Sequence, residues 1–486
     1  MATEAGASWN NAEYAGWMKP AGVSATQIDA TRVKCLALRV CLEVRSVFIV
    51  AATRALQHAL VVAALCGFAW PQTMTRLDRE HAQDMLHVVG DEIRKHYYDP
   101  RFHGLNWDAT LENAKQKVET SKSMNAALTY VAAALEPLND SHTFFLPPQH
   151  VTRPDYGFQY QMVGSRCFVT RVRPKSDAER KGLRVGDEIL TLNGYNVTRD
   201  AIWKMQYVFS VLMPQASLRL LLQDPEGNQR KLEIAAKAVF GKQVLDLTLS
   251  GGNDIWDIVR EEEDREYLSR ARYQQFGTHL IVLKVPEFFF SQHEVEGMIE
   301  TVRGYDKLIL DLRGNPGGAV ETLKYLVGGM FDKDVKIAER VGRKEKKPEV
   351  AKNLKHPFSG ELVVLVDSES ASAAELFARV IQLEKRGTIV GDRSSGSVME
   401  AKHYDERLGT DRLIFYGVSI TEWDLIMSDG NSLEHVGVTP DESVLPSSQD
   451  LAAGRDPALA HAARLLGVTV TAEDAGKAFP YEWPAD

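Results

Sequence analysis

Residues 361–402 read ELVVLVDSESASAAELFARVIQLEKRGTIVGDRSSGSVMEAK, a strand, a tight polar turn, a helix, a strand and a glycine-rich loop. Leu362 to Val366 is an unbroken apolar, largely β-branched run, the pattern of a strand covered on both faces. Leu376, Phe377, Val380, Ile381 and Leu383 then recur at helical spacing, and Lys385, Arg386 and Gly387 supply the stop. Ser368 to Ala373 form the turn between them. A serine carried from a buried strand onto a helix N-terminus meets unpaired N–H groups and the positive end of the helix dipole. Both favour the negative charge of a tetrahedral intermediate. Ser372 with Glu375 three residues on also has the spacing of a capping box. On this segment alone, nucleophile and cap both stand.

Working outward, strand and helix alternate. His279–Val285 reads as a strand and Glu294–Val302 as a helix. Lys307–Leu312 is a buried strand running into Arg313-Gly-Asn-Pro-Gly-Gly318, with a helix from Val320 to Met330. Such alternation predicts an α/β sheet with parallel pairs. Gly317 and Gly318 sit where a strand gives way to a helix, so the backbone there can approach a ligand closely, as a bare loop or an anion site. Further on, Glu434 lies in the turn-rich stretch 428–441, where a surface carboxylate is the default reading. Toward the front, residues 75–136 carry helical faces, with Leu86, Val89 and Ile93 on one and Leu111, Ala114 and Val118 on another. Asn139-Asp-Ser-His-Thr143 breaks that pattern, and Pro147-Pro148 ends the region. His142 in this loop reads as a base, a ligand or a solvated bystander.

At 486 residues the protein has room for two or three domains. A net charge of −9, with no dense Lys/Arg patch, argues against a nucleic-acid partner. Of the four cysteines, Cys35, Cys41 and Cys66 precede residue 70, which leaves Cys167 for the folded body and excludes a disulfide framework or cysteine zinc site there. The segment near residues 54–70 is an apolar run behind Arg54, of signal-peptide length and too short to span a bilayer comfortably. It predicts an exported (periplasmic or extracellular) or membrane-anchored protein, with a buried helix as the alternative and a true start downstream of Met1.

Residues 155–240 form a unit of short strands. Gly182-Leu-Arg-Val-Gly-Asp-Glu-Ile-Leu-Thr-Leu-Asn-Gly194 gives a turn, a strand and an Asn-Gly turn. This run strongly resembles a PDZ domain, a fold that captures the C-terminal ends of polypeptides by strand addition and loop N–H groups. The resemblance places the peptide C-terminus site at Tyr156, Gly157 and Phe158, although Tyr-Gly-Phe departs from the usual Gly-Leu-Gly-Phe.

Together, Asp311-Leu-Arg-Gly-Asn-Pro-Gly-Gly318, Ser370-Ala-Ser-Ala-Ala-Glu375 and Glu434-His-Val-Gly-Val-Thr-Pro-Asp441 resemble the serine peptidase family of the C-terminal processing (tail-specific) proteases and the tricorn core protease. The likeness implies an α+β and α/β multidomain protein. Residues 1–73 would be an N-terminal extension, 74–150 a helical domain and 151–241 the PDZ domain. Residues 242–445 would form an α/β core of the ClpP/crotonase-like type, and 446–486 a tail with a short helix. The tail-specific branch takes its base from a lysine after the nucleophile helix, and Ser397 stands at that position here. The tricorn branch uses a histidine preceded by serine, and a glutamate in the closing motif. Ser141-His142 and Glu434 match those places. The resemblance therefore implies Ser372 as nucleophile and His142 as general base, with Ser141 and Glu434 orienting it. Ala373 with Gly318 or Gly317 would form the oxyanion hole, and no metal or organic cofactor would be needed. The implied substrate is a peptide or unfolded protein, taken by its C-terminus. Lys402, displaced by five residues or about 16 Å of extended strand, is an alternative base. A PDZ-containing scaffold with a degenerate core is an alternative function.

Overall fold

A computed structural model describes residues 74–148, 152–240, 269–409 and 413–483. The N-terminal extension, with the apolar segment near 54–70, lies outside the described residues. Three helices, Arg76–His96, Trp107–Glu119 and Met124–Ala133, open the described part. Thr75 and Asp78 close a capping box on the first. Met85, Val89 and Ile93 on the first helix, Val118 on the second and Val131 on the third are wholly buried in one core, as their helical spacing requires. Phe144–Leu146 then pairs antiparallel with the long strand Ile414–Ile426, so the loop carrying His142 is drawn onto the core.

The α/β core holds a six-stranded sheet in the order Arg272–Phe276, Leu280–Lys284, Lys307–Asp311, Glu361–Val366, Thr388–Gly391, Glu442–Ser443. The first pair is antiparallel and the rest are parallel. Leu362 through Val366 are all buried, because the helices Gln292–Val302, Val320–Gly328 and Ala373–Leu383 cover one face and Pro457–Leu465 the other. A second, antiparallel sheet is built around Ile414–Ile426, which pairs with Phe144–Leu146, Val335–Gly342 and Met399–Leu408.

The PDZ unit is a sheet of Phe158–Val163, Arg166–Val172, Glu188–Leu192, Ser217–Gln223 and Gln229–Ala235, with the helix Arg199–Tyr207 against it. Its Phe158–Val172 hairpin rests on the turn that leads to Ser372. Gln161 donates to Asp367 at 2.6 Å, Ser368 to the Met162 carbonyl at 2.5 Å, and the Gly164 N–H to Asp392 at 2.8 Å. Arg199 adds an ion pair to the same Asp392. No helix among the described residues is long and apolar enough to cross a membrane.

Candidate active site

Ser372 stands at the start of the helix Ala373–Leu383 with φ +54° and ψ −117°, backbone angles that an L-residue holds only when its surroundings enforce them. Three contacts enforce them. Its N–H donates to the Ser397 carbonyl at 2.9 Å and to Glu375 at 3.0 Å. Opposite, Gly317 leaves no room: a Cβ there would lie 2.7 Å from Ser372 Cβ and 3.0 Å from Ala373 N. A strained serine at a strand-to-helix turn presents its hydroxyl outward, as in a nucleophile elbow.

Glu375 does more than cap the helix. Its buried carboxylate also accepts from Ser394 Oγ at 2.6 Å, Gly396 N–H at 2.7 Å and Ser397 N–H at 3.0 Å. It thereby fastens the glycine-rich loop to the nucleophile helix. Burial pushes its pKa up to about 7, against the pull of these four donors.

The Gly318 and Ala373 N–H groups have no acceptor among the described residues. The Gly317 N–H, by contrast, donates to Asn315 Oδ1 at 2.8 Å, which leaves Gly318 as the free donor of the pair. Gly318 is fixed by a bridge to Phe288, whose carbonyl a Cβ on Gly318 would meet at 2.5 Å.

Glu434 reaches the loop at the front of the sequence. It accepts from Ser141 N–H at 2.7 Å, from Ser141 Oγ at 2.8 Å and from Val398 N–H at 2.8 Å. Ser141 Oγ lies 2.8 Å from His142 Nδ1. A hydroxyl has one proton, and here Glu434 takes it, so Oγ accepts from Nδ1–H and the neutral ring keeps its lone pair on Nε2. Burial lowers the His142 pKa below the ordinary value, opposed by Asp140 and aided by His403. Burial likewise raises that of Glu434.

The line of contacts runs continuously from imidazole to serine. His142 binds Ser141, Ser141 binds Glu434, Glu434 binds Val398, and the neighbouring Ser397 binds Ser372. No hydrogen bond joins the Ser372 hydroxyl to His142 in this conformation. Catalytic hydrogen bonds of this kind commonly close only with substrate in place.

Four supporting residues escaped the sequence reading. Asp140 accepts from the N–H groups of His142 and Thr143 at 2.8 and 3.0 Å and from Thr421 Oγ1 at 2.8 Å, setting the His142 turn on the core. Its signal was an Asx residue ahead of a loop histidine. Asn315 holds Gly317. His403 sits across the strand pair from Ser419, which is also the partner of Phe144. His435 Nε2–H donates to the Asn139 carbonyl at 2.8 Å, pinning the closing motif to the His142 loop. Lys402 is exposed, lies opposite Ile420 and rests 5.2 Å from the Tyr404 ring. In the PDZ turn, the Gly157 N–H donates to Asp155 at 2.8 Å, Tyr156 donates its hydroxyl to the Gln215 carbonyl at 2.9 Å, and Phe158 is buried.

A serine at a strained elbow beside unclaimed N–H groups is an arrangement that acyl transfer can use, the kind of site found in serine hydrolases. In comparison with known proteins, residues 279–444 match the model of peptidase family S41. A tricorn protease C1 domain matches at 78–126 and a PDZ domain at 148–205. The carboxy-terminal processing protease CtpB of Bacillus subtilis is 23% identical over 348 residues, covering 67% of this chain and 63% of that protein. Putative tricorn protease homolog 2 of Streptomyces coelicolor is 25% identical over 411 residues, 78% of this chain and 31% of that one. The carboxyl-terminal-processing protease of Synechocystis is 22% identical over 404 residues, covering 80% and 87%. Among solved structures, mature CPAF complexed with lactacystin superposes with a TM-score of 0.57 at 16% identity, over 77% of this chain and 96% of that one.

Proposed function

We propose that the protein is a serine endopeptidase or carboxyl-terminal processing peptidase that cleaves peptides and unfolded proteins, working through Ser372 and His142. The observation that carries this reading is the Glu434–Ser141–His142 relay, which leaves Nε2 of a neutral imidazole free to accept a proton. In the proposed reaction, Ser372 Oγ attacks the scissile carbonyl carbon while His142 Nε2 takes the hydroxyl proton. The N–H groups of Gly318 and Ala373 hold the resulting oxyanion, and His142 returns the proton to the leaving amine. Water then releases the acyl group by the same steps. The substrate is held by the PDZ unit at its C-terminal end, next to the Tyr156–Phe158 turn, and the Gln161–Asp367 and Ser368–Met162 contacts link that unit to the elbow. Export or membrane anchoring through residues 54–70 belongs to the same reading. Mass spectrometry of the native N-terminus tests it, and an intact Met1 on a cytosolic product would overturn it.

The test of the chemistry is cleavage of an unfolded reporter by Ser372→Ala, His142→Ala and Lys402→Ala variants. Loss in the first two with retention in the third supports the assignment. Retention in His142→Ala with loss in Lys402→Ala would move the base to Lys402. No cleavage by the unsubstituted protein would favour a peptide-binding scaffold.

A further inference from the structure

The segment after the helix Ala472–Gly476 carries no chemistry legible in the sequence, yet it lies across the PDZ groove. Tyr481 packs on the Arg171 guanidinium at 4.0 Å from ring centroid to charge, and Trp483 on Arg173 at 4.8 Å. The two rings touch edge to face, and Gln159 donates to the Tyr481 hydroxyl at 2.6 Å while accepting from Arg171 at 2.8 Å. Two residues apart on an extended backbone point to the same side. Here two rings two apart meet two arginines two apart. Glu482, between the rings, turns the other way and pairs with Arg270 of the core at 3.9 Å, while Arg272 donates to the Pro480 carbonyl at 3.2 Å.

Tyr481 and Trp483 form one wall of a cavity of about 750 Å³ whose other lining includes Tyr156, Phe158, Leu192 and Phe209. At the end of that groove, the Gly157 N–H donates to Asp155, and Asp155 in turn pairs with Arg173 at 3.1 Å. Beside that turn, the recognition chemistry of the groove is that of aromatic side chains on arginine. We propose that Arg171 and Arg173 form a ring-reading subsite of the PDZ groove for segments of the pattern aromatic–acidic–aromatic, and that the protein's own Tyr481-Glu482-Trp483 occupies it as a displaceable intramolecular competitor.

This deepens the peptidase reading by naming a feature of the peptides the groove accepts, and its test is independent of hydrolysis. Two cation–ring contacts at these half-buried positions, counted at the low end of their range, hold a closed-to-open ratio of about 5 to 30. A peptide that must displace the tail binds weaker by the same factor. The probe is a fluorescein-labelled peptide of residues 477–486, measured by anisotropy against the full-length Ser372→Ala protein. The comparison protein adds Tyr481→Ala and Trp483→Ala. A second comparison protein ends after Pro480, which keeps Phe479 in place should the double substitution disturb folding. The expected result is about 5- to 30-fold tighter binding to both tail-disabled proteins, no gain for a probe with both rings replaced by alanine, and loss of the gain when Arg171→Ala is added. Equal affinity for intact and tail-disabled proteins would overturn the proposal, as would a ring-less probe that binds as well as the aromatic one. Because hydrolysis is never read, failure of the Ser372–His142 assignment leaves this outcome unaffected, and the reverse holds too.

Discussion

Replacing Glu434 by glutamine changes one oxygen to an amide nitrogen and keeps the shape of the side group. The carboxylate now accepts three hydrogen bonds, from Ser141 N–H, Ser141 Oγ and Val398 N–H. The amide has a single oxygen, and its nitrogen only donates. Placed at the Oε2 position, that oxygen keeps both Ser141 Oγ and Val398 N–H, and the NH2 group faces the Ser141 N–H, a single donor-against-donor encounter. Ser141 Oγ still gives its proton to residue 434 and still accepts from His142 Nδ1–H, 2.8 Å off. The tautomer is kept. What the substitution removes is the negative charge that steadies the imidazolium when His142 takes the Ser372 proton in the proposed reaction.

The magnitude follows from that charge. A neutral acceptor in place of a charged one costs about 1–2 kcal/mol in the imidazolium state, or about 5- to 30-fold in kcat. KM should move little, because Glu434 touches no proposed substrate subsite. Stability should fall by about 1–3 kcal/mol, since one charge-assisted hydrogen bond is lost and its donor left unpaired while the burial of a charge is relieved. The assay is steady-state cleavage of a quenched peptide by Glu434→Gln, with thermal unfolding measured on the same preparation. A folded variant whose kcat stays within about twofold of the parent would refute the charge argument and with it the role given to Glu434.

Four further outcomes follow. Gly317→Ala puts a methyl 2.7 Å from Ser372 Cβ at a φ of +95°, so the elbow must shift; kcat should drop by about 100- to 1,000-fold, the worth of one oxyanion donor, with peptide affinity at the PDZ groove unchanged by anisotropy. In the proposed reaction His142 must be neutral to act, and burial holds its pKa below 6.5, so kcat/KM should rise with pH through a midpoint below that value. Removing the His403 repulsion by His403→Ala raises the His142 pKa, and the pH–rate midpoint should move up; a downward shift would contradict the placement. Lys402→Ala removes only an exposed cation beside Tyr404, and cleavage should stay within about threefold of the parent.

What the sequence disclosed and what it hid divide along physical lines. The strand Glu361–Val366 and the helix Ala373–Leu383 were legible because their burial follows from neighbours in sequence, and a periodic apolar pattern records it. The same holds for the PDZ turn Gly182–Gly194, where glycines mark backbone angles other residues resist. The joining of Ser141 to Glu434 spans 293 residues, and nothing local records it. Only a family resemblance put those two residues side by side. Glu375 shows how a correct local reading can still be partial: the capping spacing was visible, but the three donors from residues 394–397 were not, because a loop's return to a distant helix leaves no periodicity. The antiparallel sheet around Ile414–Ile426 escaped for that reason, and Tyr481-Glu482-Trp483 escaped more completely. Its rings acquire meaning only against Arg171 and Arg173, some 310 residues earlier. Elements whose chemistry lies in their own spacing can be read in one dimension. Those whose chemistry lies in a partner cannot, and here both the base of the proposed reaction and the occupant of the groove are of the second kind.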